Sequence, residues 1–220
     1  MFGTKRRHYI ECESREPLVC RRRHSMNPEI RNYLRQLEDR ARSHDARESE
    51  HSRKLLNLEP ETAELVSILA RSSHARRILE IGTSNGYSTI WLATSVGPDG
   101  GRIISIDRSP EKHKLAHENL LATGLLQFVD LRLGDATEVI RTLPGPFDFV
   151  FFDADRKSAP GQLSLLLPKL APQALLLADN VLSHPEEISG YLSMIKNLNQ
   201  FQHVLIAVGK GLSVAFADSR

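Results

Sequence analysis

Residues 78–89 read Ile78-Leu79-Glu80-Ile81-Gly82-Thr83-Ser84-Asn85-Gly86-Tyr87-Ser88-Thr89, an apolar run followed by a turn between two glycines and then by helix-compatible residues. Glycine at 82 and 86 lets the backbone turn sharply and approach a ligand closely, and the free amides opening the next helix can receive an anionic group. The spacing is Gly-x-x-x-Gly, whereas a nicotinamide dinucleotide turn needs Gly-x-Gly-x-x-Gly, so that cofactor is disfavoured. The same residues also spell Gly-x-Ser-x-Gly, a hydrolase nucleophile elbow. In that reading Ser84 attacks, and Asp153 or Asp179 precedes His184 or His203 in chain order. Such an elbow follows several strands, yet everything before Arg77 reads as helical or irregular, which weighs against it.

Downstream of this turn, short apolar runs at 77–82, 102–107, 128–133, 147–153 and 174–179 alternate with helical segments near 87–96, 109–123, 136–143 and 160–170. That alternation predicts parallel strands joined by crossover helices. A last helix near 185–199 leads to two runs, Phe201 to Val208 and Leu212 to Ala217. Only Gly209, Lys210 and Gly211 separate them, too few residues for a crossover, so the pair forms an antiparallel hairpin. The expected fold is α/β, a doubly wound and mostly parallel seven-stranded sheet with a C-terminal antiparallel hairpin and N-terminal helices.

Upstream, Asn27-Pro28-Glu29 has the form of a cap, a first-turn proline and a first-turn acid, opening a charged helix that reaches to about Ser52. A second helix starts near Pro60 with Leu65, Val66, Ile68 and Leu69 as its apolar face. Residues 1–26 are polar and basic without periodicity and read as a disordered extension. The remaining 27–220 form one domain, with its N-terminal helices within 27–71.

A chain of 220 residues with 40% apolar content is long enough to bury one full-sized core. Lys and Arg number 29 against 27 acids, a net charge of +2, which gives no overall polyanion-binding signal of the kind a dedicated nucleic-acid module carries. Cys12 and Cys20 both lie in the basic extension, so no disulfide framework holds the domain. With no apolar run long enough for a membrane helix and no secretory signal, the expectation is a soluble cytoplasmic protein. His8, Cys12, Cys20 and His24 fit no common zinc spacing.

Asp107 ends the second strand about 25 residues past the glycine turn, where an acid accepts hydrogen bonds from ribose hydroxyls. Ser109 is already available to cap the next helix, which leaves Asp107 free for a nucleoside. Gly134-Asp135-Ala136 follows the third strand, where a side chain or amide reaches an adenine edge or simply caps a helix. Asp153 and the pair Asp179-Asn180 each finish a buried apolar strand, and in a doubly wound sheet such ends lie side by side at the carboxyl edge. Three oxygen ligands of this kind suit magnesium, manganese or calcium better than zinc.

With these residues in place the chain resembles the catechol and caffeoyl-CoA type of O-methyltransferase, in its small bacterial form, over about residues 55–217. The resemblance rests on Leu79-Glu80-Ile81-Gly82, Gly86-Tyr87-Ser88, Phe151 with Asp153-Ala154-Asp155, and Asp179-Asn180 in that order. It implies the class I methyltransferase fold and S-adenosylmethionine held by Glu80, Gly82, Ser84, Gly86, Ser88, Asp107, Asp135, Ala136 and Asp153. It further implies a divalent metal, magnesium first, on Asp153, Asp179 and Asn180, and a homodimer. The activity implied is methylation of a hydroxyl on a small catechol-like or hydroxycinnamoyl acceptor.

Three departures from that pattern fall around the acceptor. The family's lysine after Asp-Ala-Asp, a proposed general base, is Arg156 here, with Lys157 next to it; arginine stays protonated and cannot take a proton. Catalytic roles are therefore expected of Asp153 with Arg156 or Lys157. The tyrosine usual shortly afterwards gives way to Ser158-Ala159-Pro160, and a Gly-Asp-Gly hairpin turn reads Gly209-Lys210-Gly211. Two other readings follow: methylation of a hydroxylated uridine in transfer RNA, suited by the basic extension, Arg156 and Lys210, and a cofactor-binding protein without catalysis.

Overall fold

The computed structural model describes residues 26–218. The basic extension, its two cysteines and the His8-Cys12-Cys20-His24 set lie outside the described residues. Seven strands, β1 (Arg77–Ile81), β2 (Arg102–Asp107), β3 (Val129–Leu133), β4 (Phe147–Phe152), β5 (Leu170–Ala178), β6 (Phe201–Ile206) and β7 (Leu212–Ala217), form one sheet. Their order is β3-β2-β1-β4-β5-β7-β6. Neighbours from β3 to β5 are parallel, while β7 runs antiparallel to both β5 and β6. Strand β6 ends at Ile206, short of the expected Val208, and residues 207–211 that join it to β7 are still too few for a crossover, so β7 is the one reversed strand.

Helices α1 (Pro28–Asp45), α2 (Pro60–Ser72), α3 (Tyr87–Val96), α4 (Pro110–Ala122), α5 (Ala136–Thr142), α6 (Ala159–Leu166) and α7 (Pro185–Asn197) complete the fold. Two apolar layers divide the buried side chains by strand alternation. On one face Ile78, Ile103, Phe149 and Phe151 pack with Leu34, Val66, Trp91 and Leu92. On the other, Leu79, Ile81, Val150 and Phe152 pack with Ile140, Leu163, Tyr191 and Ile195. Strands buried on both faces read as continuous apolar runs, which is why β1 and β4 are apparent in the sequence.

Two further boundaries differ by several residues from the sequence expectation. Helix α1 stops at Asp45 rather than near Ser52, because the Asp45 carboxylate accepts the amides of Leu55 and Leu56 at 2.7 and 2.9 Å and draws the chain back. Strand β5 begins at Leu170, inside the expected helix 160–170 and ahead of the expected strand 174–179. Its pairing with β4 skips from Phe147↔Leu170 to Phe149↔Leu175, and Gln173 has φ 64°. Residues around Pro172 therefore bulge out of the ladder, and proline and a left-handed residue hide the strand from a pattern reading.

The sheet order places the reversal of winding between β1 and β4. In doubly wound sheets ligands occupy the crevice outside the carboxyl ends at that point. Ile81 pairs with Phe152 and Phe152 with Ala178, so the residues that follow, Gly82, Asp153 and Asp179, emerge on one edge.

Candidate functional site

The turn after β1 is shaped by its glycines and by Asp107. Gly82 has φ +111°, and a Cβ there would strike the Asp153 carbonyl. Gly86 has φ +84° and lies against Ala116 of α4. The Asp107 carboxylate takes the Ser84 amide on one oxygen at 2.7 Å and the Ser109 amide on the other at 2.9 Å. Each oxygen keeps acceptor capacity on a side chain that is only half-buried. The Ser109 hydroxyl accepts from the Lys112 amide, so the cap of α4 is made without Asp107. Gly134 donates to the Asp107 carbonyl at 2.9 Å, which brings the segment after β3 beside this acid. Asp135 there caps α5 through the Thr137 and Glu138 amides, and Ala136 is that helix's first residue.

Glu80 lies beneath the turn, fully buried, with its carboxylate receiving the hydroxyls of Ser88, Thr89 and Ser105 at 2.5–2.6 Å. Burial raises its pKa, and the three hydroxyl donors oppose that rise. Glu80 and Ser88 thus face one another and stiffen the base of the turn. Ser84 donates its hydroxyl to the Leu55 carbonyl at 2.6 Å, while His184 and His203 are bonded to Ser183 and Ser213. A nucleophile elbow with a histidine base is therefore not assembled.

Across the crevice, Asp153 and Asp179 form an electrostatic couple. Burial lifts the Asp153 carboxyl well above its usual range, and the charge of Asp179 adds to the rise. Asp179 is 3% exposed and is pushed up to about 6, first by burial and then by Glu59. Its Oδ2 accepts from the Asn180 amide at 2.7 Å, while its Oδ1 is buried with no partner. An unpaired buried carboxylate oxygen is costly unless water or another group completes its bonding. Asn180 has φ 65°, a strained conformation that turns its side chain beside Asp179.

The two charged departures noted in sequence, Arg156 and Lys210, each have an acidic partner. Arg156 places both Nε and Nη2 on Glu187 Oε2 at 2.8 Å, tying it to α7, and Lys157 is exposed. Lys210 Nζ lies 2.7 Å from Glu59 Oε1 at the start of α2. No pattern of residues singles out the stretch 57–62, yet its Asn57 amide, Glu59 Oε2 and Thr62 Oγ1 are all buried without partners. Its links to Ser84 through Leu55 and to Lys210 through Glu59 carry it from the glycine turn to the hairpin turn. No motif spacing announces such residues; their signal is polar burial, which only the fold creates. Trp91 is core, as its helical spacing suggests.

A sheet of this order with a glycine turn and paired acids at its reversal point defines the class I methyltransferase fold. The chain belongs to the O-methyltransferase family whose model matches residues 26–214. It is 38% identical over 116 residues to a catechol O-methyltransferase of Mycobacterium tuberculosis, covering 52% of each chain. It is 34% identical over 131 residues to a catechol O-methyltransferase of Niastella koreensis, covering 58% of this chain and 59% of the relative. The matched part thus spans between half and three-fifths of these relatives. Among solved structures, the O-methyltransferase TomG from Streptomyces achromogenes, in complex with S-adenosylmethionine, superposes with a TM-score of 0.72 at 27% identity. That match covers 85% of this chain and 90% of TomG.

Proposed function

We propose that this chain transfers the methyl group of S-adenosylmethionine to a hydroxyl of a small vicinal-diol aromatic, catechol-like or hydroxycinnamoyl, with a divalent cation at Asp153, Asp179 and Asn180. The observation that carries this reading is the couple of Asp153 and Asp179 at the reversal point, facing the glycine turn, with Asp179 Oδ1 buried and unpaired. Family membership and the catechol-methylating relatives support the same chemistry.

The residues fit both missing groups. For the donor, Asp107 offers free acceptor capacity for ribose hydroxyls, Gly82 and Gly86 keep the turn open, and Ser84, Ser88 and Glu80 hold its shape. Asp135 and Ala136 stand where the adenine edge would lie. For the cation, two carboxylates and one amide make an all-oxygen set suited to magnesium, and the repulsion between Asp153 and Asp179 is relieved by positive charge between them. In this reading the Asn180 side-chain amide, which lies against Asp179, serves as the third protein ligand. A half-turn of that amide presents its oxygen instead of the nitrogen now facing Asp179.

A divalent cation held by Asp153, Asp179 and Asn180 would supply the positive charge that lowers the pKa of the attacked hydroxyl. The chain does the positioning: Asp107 and the glycine turn hold the donor, and the strand ends of β4 and β5 hold the acceptor opposite. The S–CH3 bond breaks as the O–CH3 bond forms, leaving a thioether. Arg156, charged and engaged by Glu187, cannot take the hydroxyl proton. We assign that proton to Lys157, exposed beside Asp155. An RNA acceptor draws little support from the described residues, since Arg156 and Lys210 are each neutralised by an acid.

The test is incubation with labelled S-adenosylmethionine and a panel of catechols, hydroxycinnamoyl thioesters and transfer RNA, with magnesium or with a chelator. Label on a catechol or hydroxycinnamoyl compound, lost in chelator, is expected. Label on RNA alone, or transfer that persists in chelator, overturns the reading.

A further inference from the structure

We propose that the Glu59–Lys210 ion pair is a positioning device, which seats the turn between β6 and β7 on the start of α2 and thereby holds the Asp179-Asn180 loop in place for the acceptor. This deepens the proposed function and rests on it for its catalytic consequence. The pair joins the start of α2 to a hairpin turn far away in sequence, with a separation of 2.7 Å, and both its charges are near enough to act on Asp153 and Asp179. The turn is closely fitted there: a Cβ on Gly209 would collide with Thr62 Oγ1 and press on Glu59 Oε2. Thr62 is fully buried, so α2 offers no slack on its side.

The other side of the turn grips the acidic loop by backbone. Lys210 carbonyl accepts the amides of Leu182 and Ser183 at 3.0 and 3.2 Å, and Gly211 carbonyl accepts the amide of Val181 at 3.1 Å. A Cβ on Gly211 would meet Leu182. Residues 181–183 follow Asn180 directly, and Asn180 is held in a left-handed conformation that the chain would leave if released. Displacement of the hairpin turn is therefore transmitted to the Asp179-Asn180 pair within one or two residues. The side chains of Lys210 and Glu59 are 42% and 27% exposed. A pair this accessible adds little to global stability, so its effect is local.

The experiment is a charge-swap cycle in the full chain: Glu59→Gln, Lys210→Met, and the double substitution Glu59→Lys with Lys210→Glu. The first readout is amide hydrogen exchange at Val181, Leu182 and Ser183, which reports the coupling whether or not an acceptor has been found. Each single variant is expected to exchange about three- to fivefold faster at these three amides, with β1 and β4 unchanged, and the swap to restore protection. The second readout is steady-state kinetics: acceptor KM rises about three- to fivefold in the singles, while calorimetric affinity for S-adenosylhomocysteine stays at the native value. Lys210→Arg, which keeps the charge, retains native exchange and KM and guards against a swap that misfolds. Unchanged exchange in both singles overturns the proposal, as does loss of protection spread over the whole sheet. Native protein that methylates nothing, with the exchange pattern as expected, overturns the proposed function and leaves the positioning intact.

Discussion

Asp179→Asn should make the cation-free protein more stable while destroying its activity. Asp179 is 3% exposed and its carboxyl is pushed from 3.8 up to about 6, chiefly by burial. The folded state therefore holds a proton more tightly than the unfolded chain does. The stability from that proton is fully present below about pH 4 and is lost as pH rises through about 6. The shift of roughly two units corresponds to about 3 kcal/mol of penalty on the native protein above that window. Asparagine carries no charge and can still accept from the Asn180 amide on its carbonyl oxygen. The variant should gain about 3 kcal/mol near pH 8, a rise in Tm of roughly 6–12 °C for a domain of this size, and nothing near pH 4. Thermal unfolding in chelator at both pH values measures this. Magnesium should raise the native Tm and leave that of the variant unmoved. A Tm difference that is the same at both pH values refutes the argument that a buried, penalised carboxylate faces this crevice.

Other outcomes follow from neighbouring contacts. Asp107→Ala removes the acceptor for two backbone amides and for the ribose. It should weaken S-adenosylmethionine binding by about 1.5–3 kcal/mol for each ribose bond lost, read by calorimetry. Gly82→Ala forces a Cβ into the Asp153 carbonyl at φ +111° and should cost at least about 3 kcal/mol in urea unfolding. Lys157→Met should lower kcat by about 100-fold or more with donor affinity unchanged, whereas native kcat would remove Lys157 from proton transfer.

The strands of this fold announce themselves because β1, β4 and most of β5 are covered on both faces and so carry unbroken apolar runs. The hairpin is legible from the three residues at 209–211, since no crossover fits in that length. What stays hidden depends on contacts made across long stretches of chain. Asp45 ends α1 by binding amides ten and eleven residues away, and the first residues of β5 are masked by Pro172 and the left-handed Gln173. In the site, Asp107, Asp153, Asp179 and Asn180 are readable as polar residues ending apolar strands. Asn57, Glu59 and Thr62 carry no such mark, because nothing local distinguishes a glutamate that meets a lysine from the other end of the chain.

Gly82 has a meaning beyond the turn it permits. The missing side chain allows the backbone after β1 to rest directly on the Asp153 carbonyl after β4. Under the proposed function, the seat of the donor and the seat of the acceptor are thus butted against each other, like two jaws cast in one piece. A change in the loops farther out, at 154–158 or 209–211, would then reshape the acceptor side of that proposed site without altering this backbone contact.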